Sequence, residues 1–292
     1  MSRNEEHWLD DLEDYQERFV DRKIKRERKK VGTRSVASFL AAPEASHARQ
    51  VKFDDPALQT LHEKGHLDEL LWRHQQGKEA TVYVARGPHG LMAAKIYTDM
   101  RIRSFRNDRM YREGRYIKEK RVERAIEARS NFGLSVQQSL WIDEEFHQLQ
   151  ALYQAGVPVP RPINRAGPVI LMQFIGDETG AAPRLSEANL EPEEVQSAFR
   201  QAVHNLGLIV RAGRVHGDYS TFNLLWWEDR VWVIDFPQMV EIDQNPMAMD
   251  ILRRDVEGLC RTFRHLGLKP NPTVVLPQVL RIAGETNLGE IG

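Results

Sequence analysis

The segment from His216 to Phe236 restricts the fold of this chain more than any other part of the sequence. It reads His-Gly-Asp-Tyr-Ser-Thr-Phe-Asn at residues 216–223, continues through two short apolar runs separated by a turn, and reaches an aspartate at position 235. The two runs predict a β-hairpin, which folds the residues before and after it together. We therefore expect Asp218, Asn223 and Asp235 to lie in one place.

These three side chains are the ones that phosphoryl transfer requires. A carboxylate orients the attacking hydroxyl, and carboxylate and amide oxygens hold the Mg²⁺ that bridges nucleotide phosphates. The order H-x-D-x-x-x-x-N with a later Asp is the pattern of a kinase catalytic loop and its metal-binding aspartate. Asp218 is then the base, and Asn223 and Asp235 are the metal ligands. Any one of them could instead cap a turn, but the shared order and spacing disfavour that explanation for all three.

Lys95 is the upstream candidate for binding phosphate. It lies centrally in a predicted strand, where a lysine is costly to bury unless it pairs with negative charge. A nucleotide phosphate and a helix carboxylate would supply that charge. Glu145 lies on the apolar side of a predicted helix and is our choice for the carboxylate, and Glu144, about 100° further around the helix, is the alternative.

The coarse secondary structure follows from hydrophobic spacing and turn signals. One helix or two short ones are predicted in the first segment, ending near Trp72, and a hairpin follows. The predicted elements are helices at Pro56–Leu71, Trp141–Ala155 and Glu193–Ala212, and strands at Ala80–Ala85, Gly90–Tyr97 and Val169–Phe174. A P-loop of the form G-x-x-x-x-G-K-[ST] is absent, and a single glycine, Gly77, precedes the hairpin.

Charge and cysteine content exclude several classes of protein. The 41 Lys and Arg nearly balance the 42 Asp and Glu, so the chain as a whole is not a polycation that coats nucleic acid. A single cysteine, Cys260, excludes an intramolecular disulfide and a multi-thiolate zinc site. Without an apolar leader or a run long enough to span a bilayer, the sequence predicts a soluble, cytoplasmic protein.

Two charged segments could contact RNA. Residues 1–50 begin with an acidic and then a basic run, which predicts a partly helical or disordered extension, either a solvated tail or a nucleic-acid arm. Arg101 to Arg129 contains eleven Lys or Arg and five Asp or Glu. This basic stretch is either an RNA-binding patch or a solvated connection, since phosphate binding requires clustering in space.

Several motifs in one order resemble the RIO family of atypical serine/threonine protein kinases and ATPases over residues 52–268. They are Gly77-Lys78-Glu79-Ala80, Ala94-Lys95-Ile96-Tyr97, residues 169–176 (VILMQFIG), residues 216–223 (HGDYSTFN), Ile234-Asp235-Phe236-Pro237-Gln238 and residues 252–256 (LRRDV). The 234–238 motif is similar to the winged-helix subfamily, whereas the 77–80 motif is similar to the other branch. This mixture indicates a bacterial or otherwise divergent member.

The resemblance implies an α+β, bilobal protein-kinase-like fold of the trimmed RIO type. The charged extension would occupy residues 1–50. The N-lobe, an antiparallel sheet plus a helix, would occupy residues 51–176 and include a basic flexible loop at 100–135. A mainly helical C-lobe with the catalytic and metal-binding loops would occupy residues 177–292.

The resemblance also implies ATP as substrate and Mg²⁺ as cofactor, with Mn²⁺ as an alternative. Gly77 and Lys78 would cover the nucleotide, and Lys95 would hold its phosphates. Adenine would bond the backbone of Gln173 and Ile175 beneath Met172. Ser220 would face the phosphates, Asp235 could itself accept phosphate, and Ser104 and Ser130 border the loop that carries autophosphorylation sites in the family.

Two other functions remain open at this stage. The 216–223 pattern also resembles small-molecule kinases of the aminoglycoside and choline type, although Ser220 and the 77–80 motif disfavour that class. A nucleotide-gated module that docks on ribosomal RNA or a pre-ribosome through the basic stretch is the non-enzymatic alternative.

Overall fold

The computed structural model of the chain describes residues 53–77, 80–97 and 131–284. The predicted extension at 1–50, Lys78, the basic stretch at 101–129, Ser104 and Ser130 lie outside these residues. Two compact units are present, one ending at Gln59 and one beginning at Thr60. In the first unit, the Asp55 carboxylate accepts the N–H groups of Ala57 and Leu58 at 2.8 and 3.1 Å and so caps the first turn of a helix.

The first helix, α1 (Pro56–Glu63), is shorter than the sequence predicted. Gly65 follows it with a φ of 72°, a backbone conformation that glycine adopts without steric cost. The prediction of helix as far as Leu71 was wrong, because Leu70, Leu71 and Trp72 belong to a strand. Their leucine spacing fits a helix, but cross-strand pairing with the following hairpin decides the structure.

A five-stranded antiparallel sheet forms the N-terminal part of the second unit. Its strands are β1 (Glu69–Gln76), β2 (Ala80–Gly87), β3 (Gly90–Tyr97), β4 (Pro162–Ala166) and β5 (Val169–Gln173), in the order β1-β2-β3-β5-β4. The predicted hairpin is present as β2 and β3, with Gly87 opposite Gly90. Strand β4 was not predicted. In this register Lys95 lies opposite Val82 on one side and Ile170 on the other.

One long helix, α2 (Asn131–Gln154), packs on this sheet. It begins ten residues before the predicted start at Trp141 and ends within one residue of the predicted end. Ile142 packs in a small buried cluster with Tyr97 and Ile170 of the sheet. The Asp143 carboxylate on α2 also forms an ion pair with Arg165 on β4. The helix is thus held on the sheet by both apolar and ionic contacts.

The C-terminal part of this unit is mainly helical. Its elements are β6 (Gly176–Asp177), β7 (Gly180–Ala181), α3 (Pro192–Arg211), β8 (Arg214–Val215), β9 (Leu224–Trp227), β10 (Arg230–Val233), β11 (Val240–Glu241), α4 (Ala248–His265) and α5 (Pro272–Gly284). The predicted hairpin after Asn223 is β9 and β10, and β8 pairs with β11. The main core fills the space between α3, α4, α5 and the hairpin, and residues from the end of α2 reach into it.

Within the described residues, none of the helices has the length and apolar character needed to cross a membrane. The chain therefore has an antiparallel sheet with one packed helix, followed by a mainly helical region, as the α+β prediction requires.

Candidate active site

The segment between β8 and β9 carries the residues of the predicted catalytic loop. Asn223 closes a short 3₁₀ turn (Thr221–Asn223) at the end of this segment. Its amide nitrogen donates to the backbone oxygen and to the Oδ2 atom of Asp218, each at 2.9 Å. The Ser220 N–H donates to the Asp218 oxygen at 2.9 Å, and the Ser220 oxygen accepts the Asn223 N–H at 2.9 Å. Asp218, Ser220 and Asn223 therefore form one hydrogen-bonded turn.

Asp255 on α4 fixes the backbone of this turn. Its carboxylate accepts the N–H groups of Gly217 and Tyr219 at 2.9 and 3.0 Å, one on each side of Asp218. Burial raises the pKa of Asp255 to about 6, although both backbone hydrogen bonds act to lower it. The Tyr219 hydroxyl donates to the Ala202 oxygen of α3 at 2.8 Å, so two helices hold the loop.

His216 joins the loop to the end of the hairpin. Its Nδ1 atom accepts the Asp218 N–H at 3.4 Å, which leaves the proton on Nε2 for the Ile234 oxygen at 3.3 Å. The ring is fully buried, and burial lowers its pKa to about 4, so the imidazole is neutral at physiological pH. His216 is therefore a structural link between the two loops.

Asp235 follows β10 and lies near enough to Asp218 for the two carboxylates to interact electrostatically. The Ile234 N–H donates to the Asn223 oxygen at 3.0 Å, which places the two predicted metal ligands side by side across the hairpin ends. Asp235 has a φ of 68°, a conformation that is uncommon for a residue with a Cβ atom. Its side chain is 45% exposed. The backbone is thus in a left-handed conformation at the residue whose exposed carboxylate contacts Lys95.

Lys95 spans from the sheet to both α2 and Asp235. Its Nζ atom lies 2.6 Å from Glu145 Oε1 and 2.8 Å from Asp235 Oδ1. Burial alone would lower the pKa of Lys95, but Glu145 and Asp235 outweigh it and raise that pKa. In turn, burial would raise the pKa of Asp235, and Lys95 lowers it. Tyr97, two residues along β3, donates its hydroxyl to Glu145.

The structure distinguishes the two candidate glutamates. Glu145 is 3% exposed and contacts Lys95, whereas Glu144 accepts a hydrogen bond from Gln148 on the same helix. Burial raises the pKa of Asp218, the hydrogen bond from Asn223 acts to lower it, and the nearby Asp235 raises it.

The end of β5 forms the connection between the sheet and the helical region. Met172 is half-buried and packs against both apolar clusters. The Gln173 N–H donates to the Arg161 oxygen at 2.8 Å, and the Ile175 oxygen accepts the Ala182 N–H at 2.9 Å. Among the described residues, the Ile175 N–H has no hydrogen-bond acceptor.

Gly77 begins the turn between β1 and β2. Its N–H donates to the Ala80 oxygen at 2.9 Å, and a Cβ atom at this position would lie 3.1 Å from that oxygen. Two residues earlier, the Gln75 side chain accepts a hydrogen bond from Arg184 at 3.1 Å. Arg184 adjoins β9 through a backbone bridge to Leu225. The Arg184–Gln75 hydrogen bond therefore connects the helical region to the end of β1, next to the turn.

Sequence reasoning missed three contributors to this site: Asp255, Tyr97 and Arg184. Asp255 lies in the 252–256 motif, which suggested family membership but no role for the carboxylate. The alternation of β3 places Tyr97 on the same face as Lys95, a signal that could have identified it. No local pattern marks Arg184, because its partners are distant in sequence.

The donor set suits a cation that also binds phosphate. The amide nitrogen of Asn223 is bonded to Asp218, so the side-chain oxygen of Asn223 would be the atom that binds a cation, together with the Asp235 carboxylate. Among the described residues, no group of three or more His, Cys, Asp or Glu could hold a metal ion. Two hard oxygen donors fit Mg²⁺, which keeps waters and substrate phosphates in its remaining positions.

Comparison with known proteins places the chain in a family. Residues 81–275 match the family model of the RIO domain. The chain belongs to the RIO family. This RIO domain covers most of the second compact unit, including four of the five strands of the sheet, the predicted catalytic loop and α4.

Two relatives of this RIO protein illustrate the match. It is 35% identical over 225 residues to the RIO-type serine/threonine-protein kinase Rio1 of Haloferax volcanii, covering 75% of this chain and 72% of that protein. It is 31% identical over 253 residues to the serine/threonine-protein kinase RIO1 of Caenorhabditis elegans, covering 86% of this chain and 47% of that protein. The chain thus spans about half the length of the nematode relative.

Solved structures show the same fold. A crystal structure of the Rio2 kinase of Chaetomium thermophilum in an ADP/Mg²⁺-phosphoaspartate complex matches with a TM-score of 0.57 and 23% identity, covering 76% of this chain and 65% of that one. A second crystal structure of that kinase matches with a TM-score of 0.56 and 22% identity, covering 79% and 72%. The predicted bilobal, kinase-like α+β fold is confirmed.

Proposed function

We propose that this RIO protein transfers the γ-phosphoryl group of ATP to a serine or threonine hydroxyl of a protein. The observation that carries the proposal is the position of Lys95, which contacts Glu145 on one side and Asp235 on the other. Asp235 in turn adjoins the Asp218–Asn223 turn. The proposed anion-binding lysine, base and two metal ligands thus lie close together, and the relatives with the same domain are named serine/threonine kinases.

Asp218 is the base in this proposal. Its carboxylate accepts the proton of the acceptor hydroxyl as the hydroxyl oxygen bonds to the γ-phosphorus, the bond to the β,γ-bridging oxygen breaks, and ADP leaves. The raised pKa of Asp218 suits this role, because a more basic carboxylate accepts a proton more readily. Asn223 holds the Asp218 carboxylate by a hydrogen bond, and Asp255 holds the backbone on both sides of Asp218.

The other predicted residues bind nucleotide and metal. Mg²⁺, held by Asn223 and Asp235, would neutralise charge on the transferred group. Lys95 would exchange part of its contact with Asp235 for the phosphates. At the other end of the nucleotide, the available Ile175 N–H would donate to adenine, with the Gln173 backbone beside it and Met172 packed against the ring.

The remaining contacts with ATP are closer to the phosphates. Gly77 would cover the nucleotide, Lys78 would add a cation, and Ser220 would face the phosphates from the catalytic loop. Their roles follow from position in the loops and from the family resemblance.

Asp235 also suits a second reaction, an ATPase cycle through an aspartyl-phosphate. A carboxylate oxygen of Asp235 would attack the γ-phosphorus and release ADP, and water would then release inorganic phosphate and restore the carboxylate. The exposure of this side chain and its position beside Lys95 support the proposal. The Rio2 kinase structure noted above contains a phosphoaspartate, although that likeness shows only the fold.

One experiment tests these proposals together. Purified protein is incubated with Mg²⁺ and γ-labelled ATP, and both phosphate release and label on protein are followed, with Mn²⁺ in a parallel series. A label that hydroxylamine removes indicates aspartyl-phosphate, whereas a stable label indicates serine or threonine phosphorylation, including autophosphorylation.

The outcomes also separate the alternatives. ATP binding without label or release would contradict the enzymatic proposal and favour a nucleotide-gated RNA-binding module. Transfer to an aminoglycoside or choline, with none to protein, would favour the small-molecule class.

A further inference from the structure

A buried amide joins α2 to the strand that precedes the catalytic loop. Gln148 is 2% exposed and lies three residues after Glu145, so the two side chains leave neighbouring positions on one side of the helix. The Gln148 Oε1 atom accepts a hydrogen bond from Arg214 Nε, and its amide nitrogen donates to Glu144. Both polar ends of this buried side chain are therefore used.

Arg214 is held at three points. Besides Gln148, its Nη1 atom donates to the Ala212 oxygen at 2.7 Å, and its Nη2 atom lies 3.7 Å from Glu241 Oε1. Arg214 and Glu241 are also directly opposite each other in the β8–β11 pair. A guanidinium engaged at Nε, Nη1 and Nη2 has a fixed orientation, because its planar donors cannot turn independently.

These contacts connect the three parts of the site. Strand β8 ends at Val215 and continues directly into His216, Gly217 and Asp218. Strand β11 begins five residues after Asp235. Helix α2 carries Glu145, the partner of Lys95. Arg214 thus contacts or belongs to the three elements that lead to Asp218, Asp235 and Glu145, namely β8, β11 and α2.

We propose that Arg214 and Gln148 are positioning residues that hold α2 so that Glu145 stays on Lys95. The inference rests on the phosphoryl-transfer function proposed above. A buried amide costs free energy unless both of its ends are bonded. Glu144 lies on the same helix and satisfies the amide nitrogen wherever α2 sits, so the Gln148 oxygen favours the helix position in which Arg214 is in reach. When that position is lost, Glu145 moves away from Lys95 and the phosphates lose their anchored cation.

The test is a double-mutant cycle between this tether and the ion pair. We expect R214M and Q148M each to raise KM for ATP about fivefold to tenfold, since either removes the same contact. In an E145Q background, where the ion pair is already lost, adding R214M should raise KM no further. R253M is the matched control, because Arg253 pairs with Asp250 on the exposed side of α4 and its loss should leave KM unchanged.

The outcomes separate this inference from the proposed function. An equal rise in KM on adding R214M to wild type and to E145Q would overturn it, since Arg214 would then act independently of Glu145. Hydrogen exchange of the α2 amides tests the tether without turnover, and faster exchange is expected in both R214M and Q148M. If wild type does not turn over ATP, the proposed function fails, and unchanged α2 exchange in both variants would overturn the tether separately. If R214M does not fold, Q148M supplies the same comparison.

Discussion

Asp255 holds Asp218 in place without touching its side chain. The Asp255 carboxylate accepts the N–H groups of Gly217 and Tyr219, the two residues on either side of Asp218. Because Asp255 lies on α4, a helix packed in the main core, the orientation of the proposed base depends on a residue 37 positions later in the chain. The position of the proposed base therefore depends on packing in the core as well as on the loop.

Asp255→Asn should impair turnover more than nucleotide binding. Asparagine has one acceptor oxygen where aspartate has two, so one of the two backbone N–H groups would lose its partner, at a cost of about 1–3 kcal/mol. We expect kcat to fall at least about tenfold, because the base is displaced. Steady-state kinetics check this, with Asp250→Asn, an exposed change on the same helix, as the control. Equal effects of the two substitutions would contradict the role of Asp255.

The raised pKa of Asp255 predicts a specific dependence of stability on pH. Its pKa is about 6 in the folded state, against about 3.9 in an unfolded chain, so the folded state retains the proton between these values. The stabilisation from this group is therefore present below pH 4 and is lost as the pH rises through 6. The free energy of unfolding of wild type minus that of Asp255→Asn should fall by about 2 kcal/mol from pH 4 to 7. Urea unfolding of both proteins across this range measures it, and a difference that is flat or increases with pH would contradict the assignment.

Asp218→Asn should abolish phosphoryl transfer while ATP still binds. The amide keeps an oxygen for the Asn223 hydrogen bond, so the turn should survive, but it accepts no proton. We expect kcat to fall about 100-fold or more and the ATP dissociation constant to change less than about threefold. Calorimetry and label transfer give the two quantities. Asp229→Asn in the β9–β10 turn is the control, since asparagine also tolerates the φ of 57° found there. Full activity in Asp218→Asn would exclude Asp218 as the base.

Glu145→Gln should weaken ATP binding, whereas Glu144→Gln should not. Removing the Glu145 charge leaves Lys95 paired with Asp235 alone, so the lysine is drawn towards the metal ligand and away from the phosphates. We expect about a tenfold loss of ATP affinity, since a buried ion pair is sensitive to removal of one partner. Glu144→Gln retains an oxygen for Gln148 and is the matched control. Calorimetric titration with ATP measures both, and similar affinities would exclude the Lys95–Glu145 pair from nucleotide binding.

The sequence predicted the parts of the fold that depend on local patterns. The β2–β3 hairpin, the β9–β10 hairpin and the ends of α3 follow from turn residues and hydrophobic spacing. The segment after Glu63 did not, because Leu70 and Leu71 fit a helix by spacing and become a strand through pairing with Arg86 and its neighbours on β2. Competition between local spacing and distant pairing is not visible in a single sequence.

The site likewise contains residues that a local motif predicts and residues that only distant contacts reveal. Asp218, Asn223, Asp235 and Lys95 were predicted from motifs, since phosphoryl transfer needs those residue types in that order, and they stay predicted site residues. Asp255 and Arg214 were not assigned roles, because each acts through contacts between segments that are tens of residues apart. A sequence shows which groups a reaction uses more readily than which groups hold them.

Gly207→Ala should destabilise the fold without changing the site. A Cβ atom on Gly207 of α3 would lie 2.5 Å from Ile282 Cγ2 and 3.2 Å from the Val279 oxygen on α5, so the two helices would have to move apart. We expect a loss of about 1–3 kcal/mol in the free energy of unfolding, which exceeds the helix-propensity gain of up to about 1 kcal/mol. Gly258→Ala on α4 is the matched control, because its Cβ atom would meet only ordinary contacts at 3.5 and 3.9 Å and should stabilise the helix. Urea unfolding should thus give opposite signs for the two variants, with ATP affinity unchanged in both. The same sign in both would show that α3 and α5 can separate at little cost.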